Sequence, residues 1–170
     1  VWRGLGRSDQ TSWVTGFAAV GLVAAVTGFH MIFVWPVPGS YNMIFGEMSA
    51  LLGVLFLGTA LSLAKGWHLT GLAVYAGFAG VAAIVLGARI LKLHLTATPG
   101  QTSAGFVLSG LAGVLSGWVL RRPHRPLRRR VAGLVLLAIS LLWMIMGLRA
   151  YWNHAEQFGK WQPATVYQKS

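Results

Sequence analysis

Five residues of an otherwise apolar chain carry groups able to bind a metal, hold a proton or pair charges near a membrane: His30, Glu47, Arg89, Lys92 and His94. Two imidazoles and a carboxylate are metal-ligand types, and Met31, Met43 and Met48 would add soft thioethers. No two histidines stand at i and i+4, the spacing that puts two imidazoles on one helix face, so His30, Glu47 and His94 form an incomplete ligand set. Glu47 and Arg89 suit an ion pair, and Arg89 and Lys92 suit snorkelling toward headgroups. A proton or ion path would need polar groups across the whole membrane. The inner halves of the spans offer only Thr15, Thr59, Ser62, His68, Thr70 and Ser116, a thin series. The residue types favour local charge pairing and snorkelling over either chemistry.

Other catalytic arrangements are missing. The only aspartate is Asp9, so no Ser–His–Asp triad exists. The chain has no cysteine, which removes disulfides, thiolate metal sites and cysteine nucleophiles. No glycine-rich phosphate loop precedes a basic residue in the required form. No histidines pair across spans as haem ligands would. Tyr75, Trp118 and Trp143 read as packing or interfacial-belt residues. The sequence therefore predicts no catalytic residue, no cofactor and no enzymatic activity.

The elements that would position these groups follow from composition. Of 170 residues, 55% are hydrophobic and 10% charged, where a soluble protein carries about 25% charged. A bilayer accommodates that much apolar surface. A crossing helix needs about 20 apolar residues, and the chain supplies about five such runs, near 13–35, 43–64, 67–90, 102–120 and 131–148. The fold class expected is an all-α polytopic transmembrane bundle. The first run is too long for a signal-peptide core and lacks a cleavage site, so it is read as a retained span. Residues 149–170 form a polar tail containing Trp152, Phe158, Trp161 and Tyr167, read as lying on the outer surface or ordering against a partner.

The net charge of +11 would suggest nucleic acid in a soluble protein. Here Arg121, Arg122, Arg125, Arg128, Arg129 and Arg130 concentrate between two apolar runs with no interleaved aromatics, which argues against nucleic acid. With the N-terminus inside, Arg3, Arg7, Lys65 and those six arginines fall on the cytoplasmic side. Arg89, Lys92, Arg149, Lys160 and Lys169 fall outside. The positive-inside bias therefore predicts N-in and C-out. Abundant Arg, Gly, Ala and Val suggest a bacterial plasma membrane.

Helices in lipid associate through close packing. The fourth span presents Gly105, Ser109, Gly113 and Gly117 at every fourth position, a stripe expected to serve helix packing or to dock another subunit. Ala79, Ala83 and Gly87, and Ala76 with Gly80, form comparable faces on the third.

The segment WPVPGSYNMIFGEMSALLGVLFLG resembles a family of small multi-pass bacterial and archaeal membrane proteins known only as a domain of unknown function. Gly39, Asn42, Phe45, Gly46 and Glu47 carry the likeness, and GLAGVLSG from Gly110 to Gly117 is similar to that family's penultimate glycine-rich span. The likeness covers roughly residues 11–120. It implies a membrane-embedded helical fold and no particular activity.

These readings favour a non-catalytic integral membrane subunit that packs onto a larger enzyme complex of the respiratory or membrane-bound oxidase or monooxygenase type. Its expected partners are the lipid bilayer and other membrane subunits. The alternatives are a small oligomeric transporter or channel, and an outward-facing metal-binding protein.

Overall fold

A computed structural model describes residues 10–120 and 126–157. After a 3₁₀ turn at Thr11–Trp13, five α-helices follow: α1 Val14–Val34, α2 Tyr41–Lys65, α3 Thr70–Leu93, α4 Pro99–Leu120 and α5 Pro126–Gln157. No strand occurs among the described residues. Each of the five helices is long and apolar enough to cross a membrane. The chain is an all-α polytopic transmembrane bundle.

Local chemistry sets the helix limits. Helix α1 stops where Trp35 turns into the left-handed region (φ 51°) and its N–H donates to the Met31 carbonyl at 3.3 Å. Pro36 then has no N–H with which to continue. Helix α2 ends on Gly66 (φ 66°), after which the Trp67 N–H returns to the Ser62 carbonyl at 2.8 Å. A glycine there adopts the left-handed conformation without a Cβ clash. That turn uses residues 66–69, so α3 begins at Thr70 and not at Trp67. Pro99 and Pro126 each open a helix, a position where the missing N–H would have had no helical partner anyway.

The fifth helix departs most from expectation. The sequence suggests its shortest span there, yet α5 is the longest helix at 32 residues. It takes in Arg128 to Arg130 at its start, and it runs through what reads as the beginning of a polar tail, as far as Gln157. Arginine is a good helix former, and no proline interrupts the segment after Pro126. Arg121, Arg122 and Arg125 of the arginine cluster, and Phe158, Trp161 and Tyr167 of the tail, lie outside the described residues.

Two antiparallel hairpins, α1/α2 and α3/α4, supply the tight packing. Buried positions on α1 are Gly21, Ala25 and Gly28, facing Gly46, Ala50 and Gly53 of α2. A Cβ on Gly28 would collide with the backbone nitrogen of Ala50 and lie 2.8 Å from the Gly46 carbonyl oxygen; one on Gly53 would lie 2.7 Å from the Ala25 Cα. On α3 the buried face is Ala73, Ala76, Gly80, Ala83, Gly87 and Ile90. It meets Gly110 and Gly113 of α4, where a Cβ on either would reach within 2.5 Å of a backbone oxygen of Gly80 or Ala76. These small residues alternate at three and four positions, the 3.5-residue period of a left-handed helix pair.

The every-fourth stripe of α4 does not act as one face. Four residues advance about 400° around a helix, so the stripe drifts about 40° per step. Gly105 and Ser109 consequently turn to Trp143 of α5, and Gly113 turns to α3. A Cβ on Gly117 would meet no neighbouring element within 4 Å.

Substituting alanine at Gly28 or Gly53 is expected to destabilise the protein by about 1–3 kcal/mol, because the added methyl strikes backbone. Gly16→Ala, whose Cβ position is open, should be neutral or stabilising by roughly 0.5–1 kcal/mol. Unfolding of the three variants in detergent, followed by circular dichroism, checks this order.

Candidate functional site

The five ionisable residues singled out by type are placed at one end of the bundle, but the fold does not bring them together. His30, Glu47, Arg89, Lys92 and His94 are all exposed. Two of them neighbour a buried position on their helix: Glu47 follows buried Gly46, and Arg89 precedes buried Ile90. One residue is about 100° of helix rotation, so their side chains leave the seams between helices. Among the described residues no three His, Asp or Glu side chains gather as a metal site would require. Glu47 and Arg89 form no ion pair within 4.0 Å. Arg149, at the same end, donates from Nη1 to Gln101 Oε1 at 3.5 Å. His94 has a conformational role, since it takes the left-handed position (φ 51°) that ends α3.

That end is organised by neutral polar groups. Asn42 is fully buried. Its Oδ1 accepts from the Val37 N–H at 3.2 Å, and its Nδ2 donates to the Val37 and Gly39 carbonyls. The side chain thus replaces the backbone partners that the Pro36–Gly39 turn cannot provide. Ser40 Oγ reaches the Leu95 carbonyl at 3.5 Å, tying the α1–α2 turn to the α3–α4 turn. Buried Thr96 and Thr102 share a hydroxyl–hydroxyl bond of 3.1 Å. Every buried side-chain polar atom among the described residues has a partner.

The feature best suited to receiving a ligand lies at mid-depth. A cavity of about 570 Å³ opens between the two hairpins and α5. Its walls are Met48 and Leu52 from α2, Ala79 from α3, Phe106 from α4, and Leu136 and Trp143 from α5. Phe106 stacks edge-on against Trp143 at 5.3 Å between centroids, and Trp143 Nε1 donates to Ser109 Oγ at 3.0 Å. Phe45 meets Phe106 at 5.9 Å, joining α2 to α4. The Tyr75 hydroxyl donates to the Leu51 carbonyl at 3.0 Å and ties α3 to α2. The cavity persists because α2 and α5 flank it without closing: among the described residues, no Cα of one lies within 8 Å of the other.

The volume falls within the 300–1,000 Å³ range of small-molecule pockets. The lining is apolar apart from the hydroxyls of Ser49, Ser109, Ser116 and Ser140. Among the described residues no Asp, Glu, Lys, Arg or His is buried, in the cavity or elsewhere. The arrangement can hold a hydrophobic group, and it supplies no acid, base or nucleophile–base pair.

Sequence reasoning found Ser109 and Trp143 as packing residues but could not place them on a shared wall. The wall residues Ser49, Ser140 and Leu136 carry no motif, and Ala79 stands out only as part of a small-residue face. The cavity is a gap between helices, and only their mutual placement reveals it.

Against known families, a model described as "Protein of unknown function (DUF981)" matches residues 3–157. The match reaches past residue 120, so it takes in the arginine cluster and α5, which the sequence likeness left out. No curated protein and no solved structure matches the chain.

If Asn42 is the lock of its turn, Asn42→Ala should destabilise the protein by about 1–3 kcal/mol, since it orphans buried backbone groups. Trp143→Phe, which removes one interhelical hydrogen bond and the ring atoms packed on Gly105, should cost about 1–2 kcal/mol. Glu47→Gln and Arg89→Gln should each stay within about 0.5 kcal/mol, as exposed substitutions do. Denaturant titrations in micelles measure all four. A loss at Glu47 or Arg89 equal to that at Asn42 would contradict the placement described above.

Proposed function

The chain belongs to the DUF981 family, proteins of unknown function, and on that premise we propose that it is a non-catalytic integral membrane subunit that packs onto and stabilises a larger membrane enzyme complex. Helix α5 carries this reading. The four preceding helices form two closed hairpins, whereas among the described residues α5 packs only against α4 and buries a single residue, Ile139.

The length of α5 adds to the argument. Thirty-two residues rise about 48 Å at 1.5 Å each, well beyond ~30 Å of hydrocarbon. If Val131 to Leu148 fill the membrane, the helix continues from Arg149 as a stalk through the headgroups. Tyr151 and Trp152 are 77% and 73% exposed on it. Lipid tails cannot cover them there, and large aromatics are favoured anchors at protein interfaces. The absence of buried ionisable groups among the described residues suits a scaffold better than a proton or ion conductor, which needs such groups along its path. The residues of this stalk are on the C-terminal side, which the arginine bias assigns to the exterior of a bacterial plasma membrane.

Extraction of the tagged full chain from its native membrane in mild detergent tests the proposal. The expected result is co-migration with other integral membrane polypeptides, lost or reduced at least fivefold by Tyr151→Ala with Trp152→Ala while the melting temperature is unchanged. Migration of the wild-type protein as a single chain with no other subunit would overturn it.

A further inference from the structure

The cavity between α2 and α5 and the basic end of the bundle lie along one path, and together they select a ligand. The cavity is open toward the bilayer, because α2 and α5 do not meet, and its walls suit a hydrocarbon chain. Its α5 wall runs from Trp143 to Leu136. Arg128 stands two turns further toward the start of the same helix, about 12 Å along the axis. That is roughly the distance from the middle of an acyl chain to the headgroup layer of a ~30 Å hydrocarbon core.

Arg128 is held in place there. Its guanidinium lies 4.0 Å above the centre of the Trp118 ring, and Nη1 donates to the Trp118 carbonyl at 3.0 Å. Stacking and a single backbone bond leave most of its five N–H donors available in a fixed plane, the geometry that binds phosphate oxygens. No described carboxylate offers to neutralise it. Glu47 and Glu156 belong to the opposite end of the bundle, and Asp9 lies outside the described residues. Arg130 and Lys65 add exposed positive charge at the Arg128 end.

We infer that this cleft is a binding site for one anionic phospholipid, with an acyl chain in the cavity against Phe106, Leu136 and Trp143 and the headgroup phosphate on Arg128. Basic pockets between transmembrane helices select anionic headgroups by the same physics. The chain in the cavity supplies affinity, and the guanidinium supplies the preference for negative charge. The inference is independent of subunit docking, since the cleft lies on the α2 side of α5 and involves neither Tyr151 nor Trp152.

Native mass spectrometry of the full chain, released from mixed phosphatidylglycerol and phosphatidylethanolamine nanodiscs, tests it. One phosphatidylglycerol per chain is expected to survive activation energies that strip phosphatidylethanolamine. Arg128→Gln should lower its retention about fivefold, the weight of one basic residue near an anionic surface. Ala79→Leu, which fills the cavity, should lower it as much, while Arg149→Gln at the far end should leave it within twofold. Equal retention of the two lipids, unchanged retention in Arg128→Gln, or a lipid-free dimer in which a second copy fills the cleft would each overturn the inference. Should Ala79→Leu fail to fold, the competition between lipids on the wild-type protein decides alone.

Discussion

Close approach of backbone to backbone is the interaction on which the rest of this bundle depends. Lipid tails solvate leucine as well as a neighbouring helix does, so apolar surface alone gives no reason for two spans to meet. Here close approach is allowed by small residues along the seams of the two hairpins, Gly28 against Ala50 and Gly80 against Gly110 among them. At those points a side chain would hold the helices apart, and the dispersion contacts along the seam would be lost. Apart from a core of Ile44, Ile90 and Phe106, many large residues lie on the outside, and exposed Val23, Phe33, Phe78 and Leu134 face what a bilayer would cover.

A second constraint follows from the first. A membrane interior offers no water to unpaired polar groups, so each turn must satisfy itself. The turn between α1 and α2 does this with Asn42, which replaces three missing backbone partners, and it is tied to the α3–α4 turn through Ser40 and Leu95. The two hairpins are thereby fixed to each other at one end. Along their length they are joined by isolated contacts such as Tyr75 to Leu51 and Phe45 to Phe106. Tight packing within each hairpin and sparse packing between them leave the cavity.

Helix α5 is the element through which the bundle meets its surroundings. It rests on α4 through Trp143, whose indole occupies the space that Gly105 leaves free, and through Arg128 stacked on Trp118. It leaves α2 uncovered. One helix thus forms a wall of the cleft, carries the basic group at one end and projects aromatic side chains at the other. A lipid-filled cleft would also supply the packing that protein atoms do not provide between α2 and α5.

The sequence by itself determined that the protein is a bundle of five apolar helices, because a run of about 20 apolar residues bounded by proline, glycine or charge has one stable outcome in a bilayer. It also determined the reserve of small residues. It did not show that α5 runs past its apolar span at both ends, since nothing in a helix-forming polar segment marks where the helix stops. The Gly105-to-Gly117 stripe was visible as spacing, but a four-residue period drifts around the helix, and only the positions of α3 and α5 decided which neighbour each member meets. The charges near His30 and Glu47 looked like a site because they share a level of the membrane. Tertiary structure decided otherwise, as rotation about each helix axis turns them outward while Asn42, Phe106 and Trp143 turn inward. The cleft was legible nowhere in the sequence, because it belongs to the space between four helices and to none of them alone.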